Sequence, residues 1–211
     1  KKIIEQAGFK IKRFEEVPPG VDISEFDAIT HNIYGRYGIG DKRIILFVGR
    51  LDYNKGVDVL VKAAPLVLKE YPETVFFIAG SDFGELKELK RICAQCSVEK
   101  NFIFAGRLER EDLISAFKNA YLFAFPSRYE AFGIALIEAM AAKLAVVASD
   151  SSAIPFVVED GKTGTLFPQD DHKALADRII CLFKNDTERH AIARRGHELV
   201  LQKYSWNLSI N

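Results

Sequence analysis

The sequence predicts an α/β domain built on a doubly wound, Rossmann-like sheet of six parallel strands. From residue 44 onward, short apolar runs alternate with longer segments of helical period, and Gly, Pro or Ser separates them. The apolar runs lack polar alternation, which is typical of strands buried on both faces by helices. We expect such strands to pair in parallel, with right-handed crossovers, so that their carboxyl ends meet at one edge of the sheet, where ligands bind.

Each predicted strand is a short apolar run followed closely by a turn residue. The six runs are Ile44 to Val48, Thr74 to Ala79, Asn101 to Ala105, Tyr121 to Phe125, Leu144 to Ala148 and Gly164 to Phe167. The predicted helices fill the gaps, at residues 55–70, 84–96, 110–119, 133–142, 171–184 and 187–203. Pro65 predicts a kink or a split in the first helix, because proline lacks a backbone donor.

The segment before residue 44 has a different pattern. Residues 1–8 resemble the end of a helix, and residues 9–17 alternate like an edge strand. Pro18-Pro19-Gly20 indicates a turn or a linker. We therefore expect a boundary after residue 17, with the main domain over residues 18–211.

The composition is that of an ordinary packed protein without a special electrostatic or membrane signal. Of the 211 residues, 48% are hydrophobic, and 29 basic and 29 acidic residues give a net charge of zero. The chain therefore has no overall basic field for nucleic acid. No apolar run approaches the roughly 18 residues of a membrane span, and no signal-peptide core is visible, which predicts a cytoplasmic protein.

The cysteines and histidines predict neither a metal site nor a redox site. Cys93, Cys96 and Cys181 are too few for a disulfide framework, so free thiols are expected. The Cys93-x-x-Cys96 pair follows a helical segment, whereas a thioredoxin-like motif would open one. The four histidines show neither metal-ligand spacing nor a partner carboxylate along the sequence.

The most informative segment is Pro126 to Met140, which follows a doubly buried strand. It contains two carboxylates eight residues apart, Glu130 before a predicted helix and Glu138 inside it. Gly133 opens that helix, and no Ser, Thr, Asp or Asn directly before it caps the first amides. Free amides at the carboxyl end of a buried strand form an anion site, for which phosphate is the natural candidate.

A second segment, Ile44 to Gly56, presents two cations after the first strand. The glycine fingerprint of dinucleotide-binding folds is missing here, which disfavours an NAD-dependent dehydrogenase. Arg50 can fork across two phosphate oxygens, and Lys55 supplies a point charge. Taken alone, the segment is better explained by two solvated loop cations, and only the Pro126 to Met140 segment turns the balance toward a diphosphate site.

Together the two segments resemble the donor-binding domain of the retaining group 1 glycosyltransferases, the glycogen synthase-like superfamily of the GT-B fold. The G-R-L-x-x-x-K-G signature appears as Gly49 to Gly56, and the E-x-F-G-x-x-x-x-E signature as Glu130 to Glu138. The likeness extends from about Val17 to the last residues. It implies that residues 18–211 are the C-terminal, nucleotide-sugar-binding half of a GT-B fold and that residues 1–17 are a remnant of the N-terminal acceptor domain or linker.

The resemblance implies a catalytic set of three residues. Arg50 and Lys55 would hold the diphosphate and stabilise charge on the leaving nucleotide. Glu130 would lie near the sugar, where a carboxylate favours positive charge at the anomeric carbon.

It also implies a nucleotide-sugar-binding set around the same strand ends. The set is Gly49, Arg107, Leu108, Phe132, Gly133, Ile134, Ala135 and Glu138. The amides around Gly133 would hold phosphate oxygens, and Glu138 would accept from the ribose hydroxyls. Arg107 and Leu108 would contact the base through backbone and packing.

The implied reaction is transfer of a hexose from a UDP- or GDP-linked donor to an acceptor supplied by the N-terminal domain. The resemblance implies retention of anomeric configuration, with no metal or other cofactor, since the nucleotide sugar is itself the donor substrate. The chain alone is expected to bind nucleotide with negligible turnover. Its expected partners are the NDP-sugar and the N-terminal acceptor domain, with neither nucleic acid nor membrane indicated. Apolar surface around Phe9 and Trp206 would face that domain, and its exposure predicts a dimer.

Several alternatives stay open. A non-catalytic nucleotide-sugar sensor would bind without transfer, and a GT-B-type sugar-nucleotide epimerase would share the fold. Glu138 could be a helix glutamate favoured by the macrodipole, and Glu130 a solvated loop residue. Ser127 and Tyr129 could touch a phosphate or only satisfy their loop. The loop Ser151 to Phe156 departs from the Gly-Gly-x-Pro-Glu of many family members, which leaves its function open.

Overall fold

The computed structural model describes residues 19–206 and confirms the predicted α/β fold. Six strands form one parallel sheet in the order β3-β2-β1-β4-β5-β6. They are β1 (Ile44–Val48), β2 (Val75–Ala79), β3 (Phe102–Gly106), β4 (Leu122–Phe125), β5 (Val146–Asp150) and β6 (Thr165–Pro168). Every strand end lies within two residues of its predicted position.

The helices cover the two faces of the sheet. They are α1 (Ile23–Ala28), α2 (Val57–Glu70), α3 (Leu86–Gln95), α4 (Arg110–Asn119), α5 (Ile134–Ala141), α6 (Ile154–Val157), α7 (His172–Lys184) and α8 (Asp186–Lys203). Short 3₁₀ turns occur at Ile33–Tyr37, Tyr53–Lys55 and Glu99–Asn101. The pattern did not predict α1 and α6, because six and four residues are too few to display a helical period.

Helix α2 corrects one expectation. Pro65 lies inside it, yet the helix is a single element, so the predicted split is wrong. Val61, Ala64 and Val67 are fully buried on both sides of the proline, and α2 packs against α3 and α7. Packing of this apolar face outweighs the one backbone hydrogen bond that the proline removes.

The sheet order places the two signature segments side by side. Strands β1 and β4 are neighbours and consist almost entirely of buried residues. The chain order reverses between them, since β2 and β3 lie on one side and β5 and β6 on the other. A doubly wound sheet forms its ligand crevice at such a reversal, beyond the carboxyl ends of the strands. The turns after β1 and β4 carry the two signatures.

The segment before β1 is attached to the end of the described chain. Val21 N–H donates to Tyr204 O at 2.8 Å, and Trp206 N–H donates to Val21 O at 3.1 Å. The expected helix end at 1–8, the edge strand at 9–17 and the boundary after residue 17 lie outside the described residues.

The cysteines match their predicted state, whereas one histidine does not. All three cysteines are free, as predicted, and burial raises the pKa of the Cys93 thiol to about 12. The expectation that no histidine has a partner carboxylate is wrong for His31, whose Nε2 lies 3.0 Å from Asp112 Oδ1. Local spacing could not reveal a partner 81 residues away. Along the described chain, no helix is both long and apolar enough to cross a membrane.

Candidate functional site

Two cavities open side by side at the carboxyl ends of the central strands. The β3-side cavity has a volume of about 520 Å³, and the residues lining it include Arg50, Phe83, Arg107, Leu108 and Arg110. The β4-side cavity has a volume of about 350 Å³, and the residues lining it include Lys55, Glu130, Phe132, Gly133, Ile134 and Ala135. Both volumes are typical of small-molecule sites.

The two cavities form one crevice, because Val48, Gly49 and Arg50 line both of them. Every predicted site residue except Glu138 lines this crevice. The fold therefore brings together residues from three separate loops, as the resemblance implied.

Lys55 and Glu130 form an ion pair in the β4-side cavity. Lys55 Nζ lies 2.6 Å from Glu130 Oε2, and each side chain is only 14% exposed. The alternative that Glu130 is a solvated loop residue is therefore wrong. Asp52 caps the 3₁₀ turn that presents Lys55, since its carboxylate accepts from the Asn54 N–H. The pair joins the two sequence signatures directly.

Arg50 stands where the two cavities meet. Its side chain is 60% exposed and pairs with Asp52 at 3.3 Å. Its guanidinium lies 5.2 Å from the centre of the exposed Phe83 ring. An exposed ion pair of this kind contributes little stability, so the guanidinium can exchange it for an incoming phosphate.

Helix α5 begins at the crevice without a side-chain cap, as predicted. Gly133 precedes the helix with φ +90°, and no side chain bonds to the first amides. A Cβ at this position would lie 2.7 Å from Leu136 Cδ1, so both the dihedral and the space favour glycine. The uncapped amides and the helix dipole favour an anion in the β4-side cavity.

Glu138 lies in the second turn of α5 and is 9% exposed. Its carboxylate forms an ion pair with Arg110, which lines the β3-side cavity and also contacts Glu25 of α1 at 2.6 Å. Burial raises the pKa of Glu138, and Arg110 partly offsets this effect. Sequence reasoning missed Arg110, although an arginine in the first turn of a helix opposes the macrodipole and so indicates a partner.

The remaining predicted residues lie near the carboxyl ends of β3 and β4. Arg107 is exposed and Leu108 is half-buried directly after β3. Phe132 is half-buried, and its ring centre lies 5.7 Å from that of Tyr204 in an edge-on contact. Among residues 19–206, no three His, Cys, Asp or Glu side chains cluster as metal ligands would.

The atypical loop Ser151 to Phe156 supports the segment that carries Glu130. The hydroxyls of Ser149 and Ser151 donate to the carbonyl oxygen of Ser127. Ala153 N–H donates to Glu130 O at 3.3 Å. Ser127 is itself fully buried, and its hydroxyl has no hydrogen-bond partner among the described residues, while Tyr129 is 64% exposed.

Arg128 connects the two signature loops through ion pairs and a hydrogen bond. Sequence reasoning did not identify this role. Its side chain is 10% exposed and lies 2.9 Å from Asp58 and 2.7 Å from Asp170. It also donates to Tyr53 O at 2.6 Å, in the turn that presents Lys55. Burial acts to raise the pKa of Asp58, but hydrogen bonds from Arg128 and Lys62 hold that pKa below its usual value.

Substituting Arg128 with methionine is expected to lower the free energy of unfolding by about 2 kcal/mol, because the partly buried carboxylate of Asp58 and the exposed carboxylate of Asp170 lose their partner. Urea denaturation measures this change. Arg91→Met is the matched control, because it removes only the exposed ion pair between Arg91 and Glu88 on α3. It should lower the free energy of unfolding by less than about 0.5 kcal/mol. Equal costs for the two variants would contradict the role of Arg128 as a clamp.

Comparisons with known proteins show the family to which the chain belongs. The profile of the family described as Glycosyl transferases group 1 matches residues 32–199. The phosphatidyl-myo-inositol mannosyltransferase of Mycobacterium tuberculosis is 34% identical over 200 residues, which cover 92% of this chain and 50% of that protein. The GDP-mannose-dependent alpha-(1-6)-phosphatidylinositol monomannoside mannosyltransferase of Mycolicibacterium smegmatis is 31% identical over 91% of this chain and 53% of its own length. The chain therefore spans about half the length of these curated relatives.

Solved structures show the same fold. The C-terminal domain of LpcC, a glycosyl transferase group 1 family protein from Francisella tularensis, has a TM-score of 0.77 and 28% identity and covers 88% of this chain and 99% of that domain. HepE from Anabaena, solved with UDP and glucose, has a TM-score of 0.85 over 98% of this chain and 57% of its own. Its identity of 22% shows a shared fold alone.

Proposed function

The chain belongs to the group 1 glycosyl transferases, and from this we propose that it is the C-terminal, donor-binding domain of a retaining hexosyltransferase. The domain binds a nucleoside diphosphate hexose, and the complete enzyme transfers the hexose to an acceptor held by an N-terminal domain. Two findings support this placement. The chain covers about half of its curated relatives, and it matches 99% of a solved C-terminal domain of the family.

The observation that carries the proposal is the meeting of Lys55, Arg50 and Glu130 in one crevice beside the uncapped start of α5. The two cations and the free amides neutralise the diphosphate as its bond to the sugar breaks. Glu130 lies 2.6 Å from Lys55, so it sits beside the diphosphate, where the attached hexose must be. Its carboxylate accepts from sugar hydroxyls and favours positive charge at the anomeric carbon.

The β3-side cavity then takes the nucleoside. Glu138 lines neither cavity but pairs with Arg110, which lines this one, so we place its carboxylate beside the ribose hydroxyls, and Arg107 with Leu108 contacts the base. The crevice is continuous from one cavity to the other through Gly49 and Arg50, which allows one nucleotide sugar to occupy both.

Calorimetry with GDP, UDP and ADP tests the proposal. The mannosyltransferase relative described as GDP-mannose-dependent makes GDP the first ligand to try. We expect at least one diphosphate to bind, and the corresponding nucleoside to bind far more weakly because the phosphate contacts are lost. Failure of all three diphosphates to bind would refute the proposal.

Turnover separates this proposal from a non-catalytic sensor. The isolated domain should show negligible transfer, whereas a complete enzyme containing it should form product. NMR of that product should show the anomeric configuration of the donor. An inverted anomer would contradict retention, and binding without transfer in the complete enzyme would favour the sensor.

We propose that the diphosphate is neutralised by protein groups without a metal cofactor. Nucleoside diphosphate affinity should therefore be the same within about twofold when Mg²⁺ is replaced by EDTA, because Arg50, Lys55 and the α5 amides supply the positive charge. Calorimetry in the two buffers measures this. A tenfold loss on chelation would contradict the proposal.

We also propose that the isolated chain dimerises through apolar surface that the N-terminal domain would otherwise cover. Trp206 is 55% exposed at the end of the described chain, and Phe9 lies outside the described residues. Light scattering at rising protein concentration should show a dimer. A clean monomer at high concentration would contradict this expectation.

A further inference from the structure

We infer that Arg110 is a positioning residue that fixes Glu138 for the ribose, an inference that rests on the proposed function of Glu138. Arg110 is the first residue of α4 and lines the β3-side cavity with Arg107 and Leu108. It belongs to neither sequence signature. Its side chain bridges two carboxylates from two other helices.

In this bridge, one carboxylate oxygen of Glu138 is occupied by a hydrogen bond from Arg110. Arg110 Nη1 donates to Glu138 Oε1, while its Nε and Nη2 donate to Glu25 Oε2 at 3.1 and 2.6 Å. The hydrogen bonds among the described residues leave Glu138 Oε2 unused. That oxygen is the one available to accept from a ribose hydroxyl.

Burial explains why Glu138 needs such a partner. Glu138 is itself 9% exposed, and burial raises the pKa of its carboxyl. An apolar setting favours the protonated carboxyl, which is the poorer acceptor for two hydroxyls. The guanidinium favours the charged form and restricts the rotation of the side chain, and Glu25 holds the guanidinium in place.

A ligand pair that differs only in the ribose hydroxyls isolates this role. The probes are GDP and 2′,3′-dideoxy-GDP, or the corresponding uridine pair if UDP binds more tightly, with inorganic pyrophosphate as the phosphate-only probe. The wild-type chain should bind the ribonucleotide at least about tenfold more tightly, since hydrogen bonds to a charged group are strong. Glu138→Gln should reduce that preference to about threefold or less, because it removes the charge.

Arg110→Met should reduce the preference in the same way and leave pyrophosphate affinity unchanged. Arg36→Met is the matched control, since Arg36 pairs with Asp112 of the same helix and lies 64% exposed; it should keep the wild-type preference. If Arg110→Met does not fold, Arg110→Lys replaces it, because lysine lacks the fork that spans Glu138 and Glu25. In Arg110→Lys the ratio of ribonucleotide affinity to dideoxynucleotide affinity should be at least about threefold smaller than in the wild type, since the hydrogen bonds to Glu138 are weakened.

Three results would overturn the inference. If the arginine variant keeps the wild-type preference while Glu138→Gln loses it, Arg110 does not position Glu138. If pyrophosphate affinity falls as much as ribonucleotide affinity, Arg110 acts on the phosphate or on the fold. If Glu138→Gln keeps the preference, the ribose role in the proposed function fails, and the inference fails with it.

Discussion

Replacing Lys55 with alanine is expected to weaken nucleoside diphosphate binding by about ten- to a hundredfold. A hydrogen bond to a charged group contributes about 1.5–3 kcal/mol, and each 1.4 kcal/mol corresponds to a factor of ten. Lys55 is 14% exposed and is held at the β4-side cavity. Its ammonium group is therefore already desolvated and in place when the diphosphate arrives.

Part of this loss should come from Glu130 rather than from the missing ammonium group. Lys55 is the partner of Glu130 at 2.6 Å, so Lys55→Ala leaves a largely buried carboxylate unpaired beside the proposed phosphate site. An unpaired carboxylate repels a diphosphate. The double variant Lys55→Ala with Glu130→Gln should therefore regain about threefold or more of the affinity lost by the single variant.

Calorimetry with the four proteins of this cycle measures both effects. Lys62→Ala is the matched control, because Lys62 pairs with Asp58 on the solvent side of α2 and is 46% exposed. It should bind as the wild type does. Equal affinity of Lys55→Ala and Lys62→Ala would remove Lys55 from the diphosphate site, and a double variant no better than the single one would deny the coupling with Glu130.

The sheet could be predicted from the sequence because its strands are buried on both faces. A strand such as Leu122–Phe125 has no polar face, so it reads as a continuous apolar run with a turn residue beyond its end. The longer helices α7 and α8 were likewise evident from their length and flanking polar loops. The short helices α1 and α6 depend on contacts with the rest of the domain, which local pattern does not contain.

The crevice could be predicted because two signatures at strand ends become neighbours in this topology. Sequence alone placed Lys55 and Glu130 at the same edge of the sheet, but their pairing at 2.6 Å needed the fold. Neither spacing nor composition relates residues 75 positions apart. The structure thus shows that Lys55 and Glu130, to which the sequence assigned separate roles, interact directly.

The residues that sequence reasoning missed support the site from outside the signatures. Arg110 and Arg128 each bridge carboxylates that come from distant parts of the chain, Glu25 with Glu138 and Asp58 with Asp170. In the sequence, an arginine with no carboxylate at a helical spacing cannot be told from an ordinary exposed arginine. For Arg128, only the three-dimensional arrangement distinguishes it from an exposed residue such as Arg36, whereas the position of Arg110 in the first turn of α4 is also a local signal of a partner.

Gly56→Ala is expected to lower the free energy of unfolding by about 3 kcal/mol or more, which is large for a single methyl group. Gly56 ends the turn that presents Lys55 and has φ +63°. A Cβ there would lie 2.0 Å from the carbonyl oxygen of Pro126 and 3.0 Å from its carbon. These are backbone atoms at the end of β4, so no side-chain rotation relieves the clash, and the loop leading to Glu130 must move.

Gly38→Ala separates this close approach from the cost of the left-handed backbone. Gly38 has φ +64° and ψ +27°, against +63° and +23° at Gly56, but a Cβ at Gly38 meets nothing within 4 Å. Both variants carry the left-handed penalty of about 1–2 kcal/mol and the same loss of unfolded-state entropy, so these terms cancel in the difference. Urea denaturation should therefore show a larger loss of unfolding free energy for Gly56→Ala, by about 1–3 kcal/mol, the usual cost of forcing atoms into a packed site.

The displaced carbonyl of Pro126 should also weaken diphosphate binding in Gly56→Ala but not in Gly38→Ala, because this carbonyl belongs to the loop that carries Glu130. Equal losses of stability in the two variants would mean that the β1 and β4 loops are not in contact, and the crevice would lose the close approach that brings Lys55 to Glu130.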